Sequence, residues 1–387
     1  MSDLAFCLPL TGGPVQVRGA LNLERTEAGW RPRRLPAWAR EQFPDSFMDL
    51  VDAQPSGVRL ALRTAAGVLE VGVLATSLSW NGEPPAPAPF DLVIDGKLAA
   101  RTPAPAGNVL AMTDPLLPGV LTPGEPGRVR FDALAPGMKD VEIWLPQHTP
   151  VELTGLWADA EVLAPNPPGL ARWVHHGSSI SHCSEADGPT GTWPVIAAGL
   201  GRADLLNLGL SGNAMLDPYT ARTIRDQPAD LISLKLGINI VNAASFRLRA
   251  FGPAVHGFLD TVREGHPDTP LLVVSPIICP VAEHTPGPTD AVAGPDGAPR
   301  CVALGDPADV ARGALTLSVV REELAGIVAR RVAAGDANLH YLDGRELFGA
   351  DNLADLPDGL HPNAAGYRRM GERFAALAFG PGGVFAP

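Results

Sequence analysis

The chain has 387 residues and a formal net charge of −12, with 45% hydrophobic and 19% charged residues. This length is typical of one large domain or two smaller ones, and the hydrophobic content suffices for a packed core. The 42 glycines and 40 prolines indicate a folded, loop-rich protein. The acidic balance argues against a nucleic-acid partner, because nucleic-acid binding requires clustered cations.

The cysteines and the N-terminus both favour a protein of a reducing compartment. Cys7, Cys183, Cys279 and Cys301 are widely spaced, which argues against a zinc ribbon or a redox pair and predicts free, buried thiols. The first residues lack the basic segment and apolar core of a signal peptide, and no apolar run is long enough to span a bilayer. We therefore expect a cytoplasmic protein that does not bind membranes.

The first part of the chain has the pattern of short β-strands. Runs rich in β-formers, separated by turn dipeptides, occur at residues 58–64, 67–74, 90–95 and 141–145. Short strands with regular turn signals predict a β-sandwich domain over residues 1–165. The proline-rich stretch 164–170 is the predicted linker, because consecutive prolines interrupt both helices and strands.

The second part alternates apolar strand-like runs with longer helical patterns, which predicts an α/β domain over residues 171–387. Such βα units favour a parallel sheet with helices on both faces. The predicted strands are 171–176, 204–209, 231–236, 271–275 and 339–342. The predicted helices are 192–202, 218–227, 248–264, 314–334 and 362–378.

Three short segments follow predicted strands and carry groups suited to nucleophilic catalysis. His176–Ser181 places serines after a glycine, where a strand can turn sharply and expose a hydroxyl. Asn207–Gly212 offers a glycine N–H, and Leu236–Asn239 offers a side-chain amide, as hydrogen-bond donors. Each segment taken alone is equally typical of an ordinary turn.

The fourth segment, Asp358-Gly-Leu-His-Pro-Asn363, is the most specific of the set. A carboxylate three residues before a histidine can accept the Nδ1 proton and leave Nε2 free to take a proton from a serine. The alternative interpretation is a helix start, with Asp358 or Asn363 as the capping residue.

Together the segments G-S-S-I-S, N-x-G-x-S-G, G-x-N and D-G-x-H-P-N resemble the motif blocks of the SGNH, or GDSL-type, hydrolase family over roughly residues 170–380. The resemblance implies a flavodoxin-like, three-layer α/β/α catalytic domain. It implies Ser179 as nucleophile, His361 as base and Asp358 as the group that orients the base. The oxyanion hole would consist of Ser179, Gly212 and Asn239, and no metal or resident cofactor is implied.

Two positions depart from the family pattern. Ser178 stands where an acidic residue usually precedes the nucleophile, and Ile240 stands where an acidic residue often follows the asparagine. Neither is a proposed catalytic group, but the departures raise the question of how the nucleophile turn and Asn239 are held. The N-terminal sandwich, jelly-roll-like in this comparison, resembles the arrangement in some carbohydrate esterases and natural-product acyltransferases.

The resemblance implies an acyl-enzyme on Ser179, with the acyl group passed to water or to an alcohol. With no signal peptide recognised, we favour transfer to a hydroxylated small molecule in secondary metabolism, from an acyl ester or a thioester such as acyl-CoA. A carbohydrate O-acetyl esterase or lipase-like hydrolase is the main alternative. The triad residues by themselves do not distinguish these, because both use the same protein chemistry.

Three other interpretations remain open from the sequence. His175, His176, His182 and Cys183 would be the ligands of a metal site, although adjacent histidines on a strand face opposite ways. We expect one of His175 and His176 to be buried and the other to lie near the site. Segment 279–312 is either a binding lid or an inert insertion. The third interpretation is a carbohydrate-binding sandwich with a weak or inactive catalytic domain. Its sugar-stacking platform would consist of Trp80, Trp144 and Trp157. Tryptophans in strands are, however, more commonly core residues.

Overall fold

A computed structural model of the protein describes residues 4, 6–114, 117–167, 169–295 and 297–386. The chain divides into two compact units. The first comprises Met1–Leu170 and Asp187–Thr190, and the second comprises Ala171–Ala186 and Gly191–Pro387. Pro168 of the predicted linker and Asp296 of segment 279–312 lie outside the described residues.

The first unit is built of short strands with two short helices. Its strands are β1 (Phe6–Leu8), β2 (Gln16–Arg18), β3 (Asn22–Arg25), β4 (Trp30–Arg33), β5 (Arg59–Thr64), β6 (Leu69–Trp80), β7 (Pro89–Ile94), β8 (Lys97–Pro103), β9 (Asn108–Met112), β10 (Val120–Thr122), β11 (Gly127–Phe131), β12 (Lys139–Trp144), β13 (Val151–Ala158) and β14 (Val162–Leu163). Its helices are α1 (Ala37–Gln42) and α2 (Ser46–Ala53), which the sequence analysis did not predict.

These strands form the predicted β-sandwich. The first sheet has the order β10-β9-β6-β13-β4-β3, with β1 on β13 and β11 on β6, and the second has the order β14-β5-β12-β7-β8, with β2 on β5. All pairs are antiparallel except β6 with β9. Alternate residues of both sheets, such as Val71, Leu153, Leu60 and Ile143, meet in one buried apolar core. The four strands predicted for this region are confirmed as β5, β6, β7 and β12.

The second unit contains the predicted parallel sheet. Its strands are β15 (Ala171–Gly177), β16 (Ala203–Gly209), β17 (Leu231–Lys235), β18 (Leu271–Val274) and β21 (Leu339–Leu342), and a separate hairpin contains β19 (Thr289–Ala293) and β20 (Pro299–Ala303). The five strands of the main sheet run parallel in the order β16-β15-β17-β18-β21. This is the flavodoxin-like order, so ligands are expected at the carboxyl ends of the strands.

Helices lie on both faces of this sheet. They are α3 (Ser179–His182), α4 (Trp193–Gly201), α5 (Pro218–Asp226), α6 (Ile238–Asn242), α7 (Leu248–Gly265), α8 (Leu317–Ala333), α9 (Gly344–Leu347) and α10 (Ala364–Phe374). Neighbouring residues of β15 show the two faces, since His175 contacts Trp193 of α4 whereas His176 stacks on Phe258 of α7. The predicted three-layer α/β/α class is therefore confirmed.

The start of α10 shows how the sequence sets an element boundary. The Asn363 side chain accepts a hydrogen bond from the backbone N–H of Gly366 and caps the helix, so that the preceding residues remain in a loop. Segment 279–312, in which no periodicity was recognised, contains the β19–β20 hairpin. In the described part of the chain, no helix combines the length and apolar character needed to cross a membrane.

Candidate active site

The nucleophile candidate lies at the turn between β15 and α3. Gly177 ends the strand, and Ser179 is the first residue of the short helix α3. Ser178 is fully buried, and its Oγ accepts a hydrogen bond from the Ile180 N–H at 3.3 Å. Ser178 therefore caps α3 in the way that an aspartate can at an N-cap, which answers how the turn is held without the usual acidic residue.

The first and last motif segments meet at this turn. The Ser179 hydroxyl lies 2.9 Å from Nε2 of His361, and Nδ1 of His361 lies 2.7 Å from Oδ2 of Asp358. When Nδ1–H donates to the carboxylate, Nε2 is free to accept the serine proton. The structure thus brings together the three side chains that the sequence analysis singled out as a triad.

The Asp358 carboxylate is held by the loop that carries it. Its Oδ1 accepts the backbone N–H groups of Leu360 at 2.8 Å and His361 at 2.7 Å. Burial favours the neutral acid, but the hydrogen bonds and charge of His361 and the two backbone donors outweigh it and lower the pKa of Asp358 to about 2. The carboxylate is therefore ionised at any ordinary pH and fixes the imidazole by charge and geometry.

Two acidic residues act on His361. Burial lowers the pKa of the imidazole, but the Asp358 hydrogen bond, the negative charges of Glu185 and Asp358 and the Cys301 group outweigh it, so the pKa is raised. Glu185 follows α3, and one of its carboxylate oxygens accepts the hydroxyl of the fully buried Tyr367 at 2.8 Å. The sequence analysis missed this carboxylate, because its position six residues after Ser179 matches no motif.

The loop after β16 and the start of α6 lie next to each other. Asn239 is buried, and its Oδ1 accepts the backbone N–H of Ala214 at 3.1 Å, which leaves its Nδ2 amide as the donor group. Gly212 has a φ of +70°, a conformation that favours glycine. The hydrogen bond from Ala214 N–H to Asn239 Oδ1 holds the asparagine in place, although Ile240 stands where an acidic residue often follows it.

The same loop also contacts α3. The Ser211 hydroxyl lies 2.9 Å from Nδ1 of His182, and the backbone N–H of Leu210 donates to the carbonyl of Gly177 at 2.8 Å. Gly209 permits the close approach, because a Cβ there would lie 2.4 Å from the carbonyl carbon of Ser181. The segments of Ser179, Gly212 and Asn239 are thus joined by hydrogen bonds at the carboxyl ends of neighbouring strands.

The histidines at the end of β15 are both buried, whereas we expected only one of them to be buried and the other to lie near the site. Oγ atoms of Ser233 and Ser181 lie 2.7 and 2.8 Å from the ring nitrogens of His175, while Nδ1 of His176 lies 2.8 Å from the Leu208 carbonyl. His175 instead supports α3 through Ser181. Burial lowers the pKa of both imidazoles, to about 4 for His176.

The proposed metal ligands do not form a cluster suited to a metal ion within the residues that the structure describes. Adjacent histidines point to opposite faces of the sheet, as the alternation of a strand requires. His182 is engaged with Ser211. The geometry therefore gives the metal-site interpretation no support.

The tryptophans of the β-sandwich do not share one exposed face. Trp144 lies in the second sheet, is 6% exposed and lies under Arg59, whereas Trp157 of the first sheet lies under Arg128. Only Trp80 of the three is exposed, at 36%. Their placement does not favour the carbohydrate-platform interpretation, which requires coplanar exposed rings.

A nucleophile, base and acid at the edge of a flavodoxin-like sheet define a serine hydrolase of the α/β/α class. Residues 176–369, half of the chain, match the GDSL-like lipase/acylhydrolase family. The protein belongs to this family and is an enzyme of this class, as the motif resemblance predicted. No protein of curated function matches the sequence significantly.

Solved structures with both units are similar to this one. The salicylyl-acyltransferase SsfX3 from a tetracycline biosynthetic pathway is 29% identical, with a TM-score of 0.78 and 95% of each chain covered. A GDSL-like protein from Bacteroides ovatus is 20% identical, with a TM-score of 0.63 and coverage of 93% of this chain and 94% of the other. A family two carbohydrate esterase from Clostridium thermocellum is 16% identical, with a TM-score of 0.54 and coverage of 83% and 91%.

Proposed function

We propose that the protein is a serine acyltransferase that moves an acyl group through Ser179 to a hydroxyl of a small molecule. The observation that carries this proposal is the continuous hydrogen-bonded chain from Ser179 through His361 to Asp358. Such a chain provides a nucleophile and a base that is already oriented, which are the requirements of an acyl-enzyme mechanism.

In the first half-reaction, His361 takes the hydroxyl proton as Ser179 Oγ attacks the carbonyl carbon of the acyl donor. The developing oxyanion would be stabilised by the backbone N–H groups of Ser179 and Gly212 and by the Asn239 amide. Such donors stabilise the transition state because they are fixed before charge develops. The imidazolium then gives its proton to the leaving group, and the acyl-enzyme remains.

In the second half-reaction, His361 takes a proton from the acceptor hydroxyl as that hydroxyl attacks the acyl-enzyme. The imidazolium then returns the proton to Ser179 Oγ, which leaves as the free hydroxyl. The base, its orienting acid and the oxyanion donors are all groups of the chain, so we propose that no resident cofactor or metal is needed. An acyl-CoA thioester would act as a co-substrate.

Support for transfer over hydrolysis comes from the similarity to a salicylyl-acyltransferase over 95% of both chains. That protein acts in a tetracycline biosynthetic pathway, and we propose a corresponding role in natural-product tailoring for this chain. Hydrolysis of the acyl-enzyme by water would be the side reaction. Carbohydrate ester hydrolysis is the alternative outcome of the test below.

The test compares wild-type protein with Ser179→Ala on short-chain and aromatic nitrophenyl esters and thioesters, with and without a panel of alcohols. We expect kcat/KM to fall on the order of 10⁴–10⁶-fold in the variant, because the covalent route is lost. In the wild type, we expect acylated alcohol among the products and a rate of chromophore release that depends on the alcohol.

Ser77→Ala, in β6 of the sandwich, is the control for replacing a serine and should keep wild-type kcat/KM. Equal rates in wild type and Ser179→Ala would contradict the role of Ser179. Loss of activity in Ser179→Ala with only hydrolysis products in the wild type would support the acyl-enzyme and reject the transferase in favour of an esterase.

A further inference from the structure

Segment 279–301 contacts the loop of the catalytic acid through three consecutive backbone carbonyls. Nη1 of Arg300 donates to the carbonyl of Pro357 at 2.7 Å. The backbone N–H of Cys301 donates to the Asp358 carbonyl at 2.7 Å, and the thiol of Cys279 donates to the Gly359 carbonyl at 3.4 Å. The backbone that carries the Asp358 carboxylate is therefore held by this segment.

Two of these contacts come from a pair of neighbouring cysteines, one through its backbone N–H and the other through its thiol. The β19–β20 hairpin folds the chain back, so that Cys301 and Cys279 contact the carbonyls of consecutive residues, Asp358 and Gly359, and the two side chains interact with each other. The wide spacing of the cysteines argues against a redox pair, yet the fold brings these two cysteines together at the loop of the catalytic acid. All cysteines of the described chain, these two included, are free thiols.

The pair differs in accessibility and in anchoring. Cys279 is fully buried, and its backbone N–H donates to Glu283 at 2.9 Å. Glu283 is in turn held by both terminal nitrogens of the buried Arg321 at 2.6 and 2.7 Å, so this half of the pair is fixed to α8. Cys301 is half-buried on β20 and is the thiol that a small reagent reaches.

The electrostatic setting favours a thiolate at the accessible position. The interaction of Cys301 with the neighbouring Cys279 side chain, with help from Thr289, outweighs burial and lowers the pKa of Cys301 to about 7. The same interaction and burial raise the pKa of Cys279 well above the usual range. These opposite shifts favour ionisation of Cys301 beside a protonated Cys279, which is the arrangement of an attacking and a resolving cysteine.

We propose that Cys279 and Cys301 form an oxidisable dithiol site whose conversion to a disulfide by a peroxide weakens the hold on the catalytic loop. The Cys301 thiolate attacks hydrogen peroxide, which gives a sulfenic acid and hydroxide. The Cys279 sulfur then displaces the sulfenic oxygen, which leaves as water with the thiol proton. The hydroxide takes up the proton that Cys301 lost on ionisation, so that in sum two thiols and one peroxide give one disulfide and two waters.

Oxidation acts on the loop because a disulfide has no S–H group. The Gly359 carbonyl loses its donor, next to the residue that orients His361. Because the loop loses one weak hydrogen bond, we expect kcat to fall about three- to tenfold. This consequence for turnover depends on the proposed function, whereas disulfide formation does not.

The experiment uses the full chain, reduced and then exposed to a graded series of hydrogen peroxide concentrations. Non-reducing peptide mapping identifies a peptide linking Cys279 to Cys301, and amide hydrogen exchange of the peptide covering residues 357–361 reports on the loop. Ester turnover is measured before oxidation, after it, and after re-reduction with dithiothreitol. Cys279→Ser and Cys301→Ser are the test variants, and Cys7→Ser, which removes an exposed thiol of the sandwich, is the control.

The expected result is a disulfide, faster exchange in residues 357–361 and a reversible fall in turnover in wild type and Cys7→Ser, all absent from both test variants. Each variant is compared with its own reduced state. Absence of the linked peptide would overturn the proposal, as would a disulfide that leaves both exchange and turnover unchanged. A fall in turnover that persists in both test variants would locate the oxidation elsewhere and overturn it too.

If the reduced wild type shows no ester turnover that depends on Ser179, the proposed function fails by itself. Peptide mapping and hydrogen exchange still test the dithiol and its effect on the loop, because neither requires a substrate. The two proposals can therefore fail separately.

Discussion

The two units of the chain bury a lysine in opposite ways. Lys139 of the sandwich is 4% exposed, and its ammonium donates to the carbonyls of Gly137 at 3.0 Å and Thr64 at 3.4 Å. Lys235 ends β17 of the α/β unit, is 1% exposed, and its Nζ has no hydrogen-bond partner among the described residues. A buried unpaired ammonium is unfavourable, so the α/β unit carries a cost that the sandwich avoids.

Other buried polar groups also differ in role between the two units. In the sandwich, Glu70 accepts from Arg128 and Arg130 across neighbouring strands, so its charges hold the sheet together. In the α/β unit, buried polar side chains such as His175 and Asn239 support α3 or the loop after β16. These polar groups stabilise the sheet in the sandwich, whereas in the α/β unit they position the segments of the active site.

The largest effect expected from this contrast is on catalysis, through Asn239. We expect Asn239→Ala to lower kcat about 10²–10³-fold with little change in KM, because it removes a donor that acts on the transition state. Steady-state kinetics on a nitrophenyl ester measures both constants. Circular dichroism and a thermal melt show whether the variant is still folded.

Asn242→Ala is the matched control, because Asn242 lies one turn further along the same helix and its Oδ1 has no hydrogen-bond partner in the described chain. It should keep kcat within a few-fold of wild type. Equal losses in both variants would mean that the effect comes from α6 as a whole and not from an oxyanion donor.

A second test concerns stability and uses the lysines themselves. Burial lowers the pKa of Lys235 from 10.5 to about 7 in the folded chain. Between these two values the unfolded chain binds more protons, so the contribution of Lys235 becomes more favourable to folding as pH rises. We therefore expect Lys235→Met to raise the free energy of unfolding by about 1–3 kcal/mol at pH 7 and by less near pH 10.

The other lysines give the comparison its controls. Lys139→Met would leave two carbonyls without their donor, so no gain in stability is expected there. Lys97→Met, at an exposed position, should change stability by less than about 0.5 kcal/mol. Urea titrations at pH 7 and near pH 10 measure the free energy of unfolding of the three variants against that of wild type. A gain for Lys139→Met as large as that for Lys235→Met would remove the contrast between the units.

Much of this fold could be predicted because local sequence patterns carry it. Alternating apolar strands and helices predicted the parallel sheet, and short β-rich runs with turn dipeptides predicted the sandwich. Ser179 and His361, 182 residues apart in sequence, came together through a motif resemblance and are hydrogen-bonded in the structure. Strand ends were informative since all five parallel strands bring their carboxyl ends to one edge.

What the sequence did not show depends on contacts between distant segments. The hairpin that brings Cys279 to Cys301 has no strong periodic signal, because none of its strand residues is buried in a core. Burial of both His175 and His176 was not predicted, since the partners of His176 are a carbonyl on β16 and a ring on α7. Ser178 shows that an uncharged side chain can cap α3 where an acidic residue is usual.

The smallest expected effect concerns Glu185 and the pH at which the α/β unit works. His361 must be neutral to act as a base, so activity should rise with pH through its raised pKa. Glu185→Gln keeps an acceptor for the Tyr367 hydroxyl but removes the negative charge that stabilises the imidazolium. We expect the midpoint of the kcat/KM profile to move to lower pH, with kcat at high pH changed about fivefold or less.

Glu372→Gln supplies the matched change in net charge, from an exposed position on α10, the helix that carries Tyr367. Its profile should coincide with that of wild type, because a distributed change in charge is screened by salt while a nearby carboxylate acts directly on the imidazole. Equal displacement of both profiles would show that His361 responds only to net charge. A shift of the pH profile in Glu185→Gln alone would identify Glu185 as a residue that, together with Asp358, raises the pKa of His361.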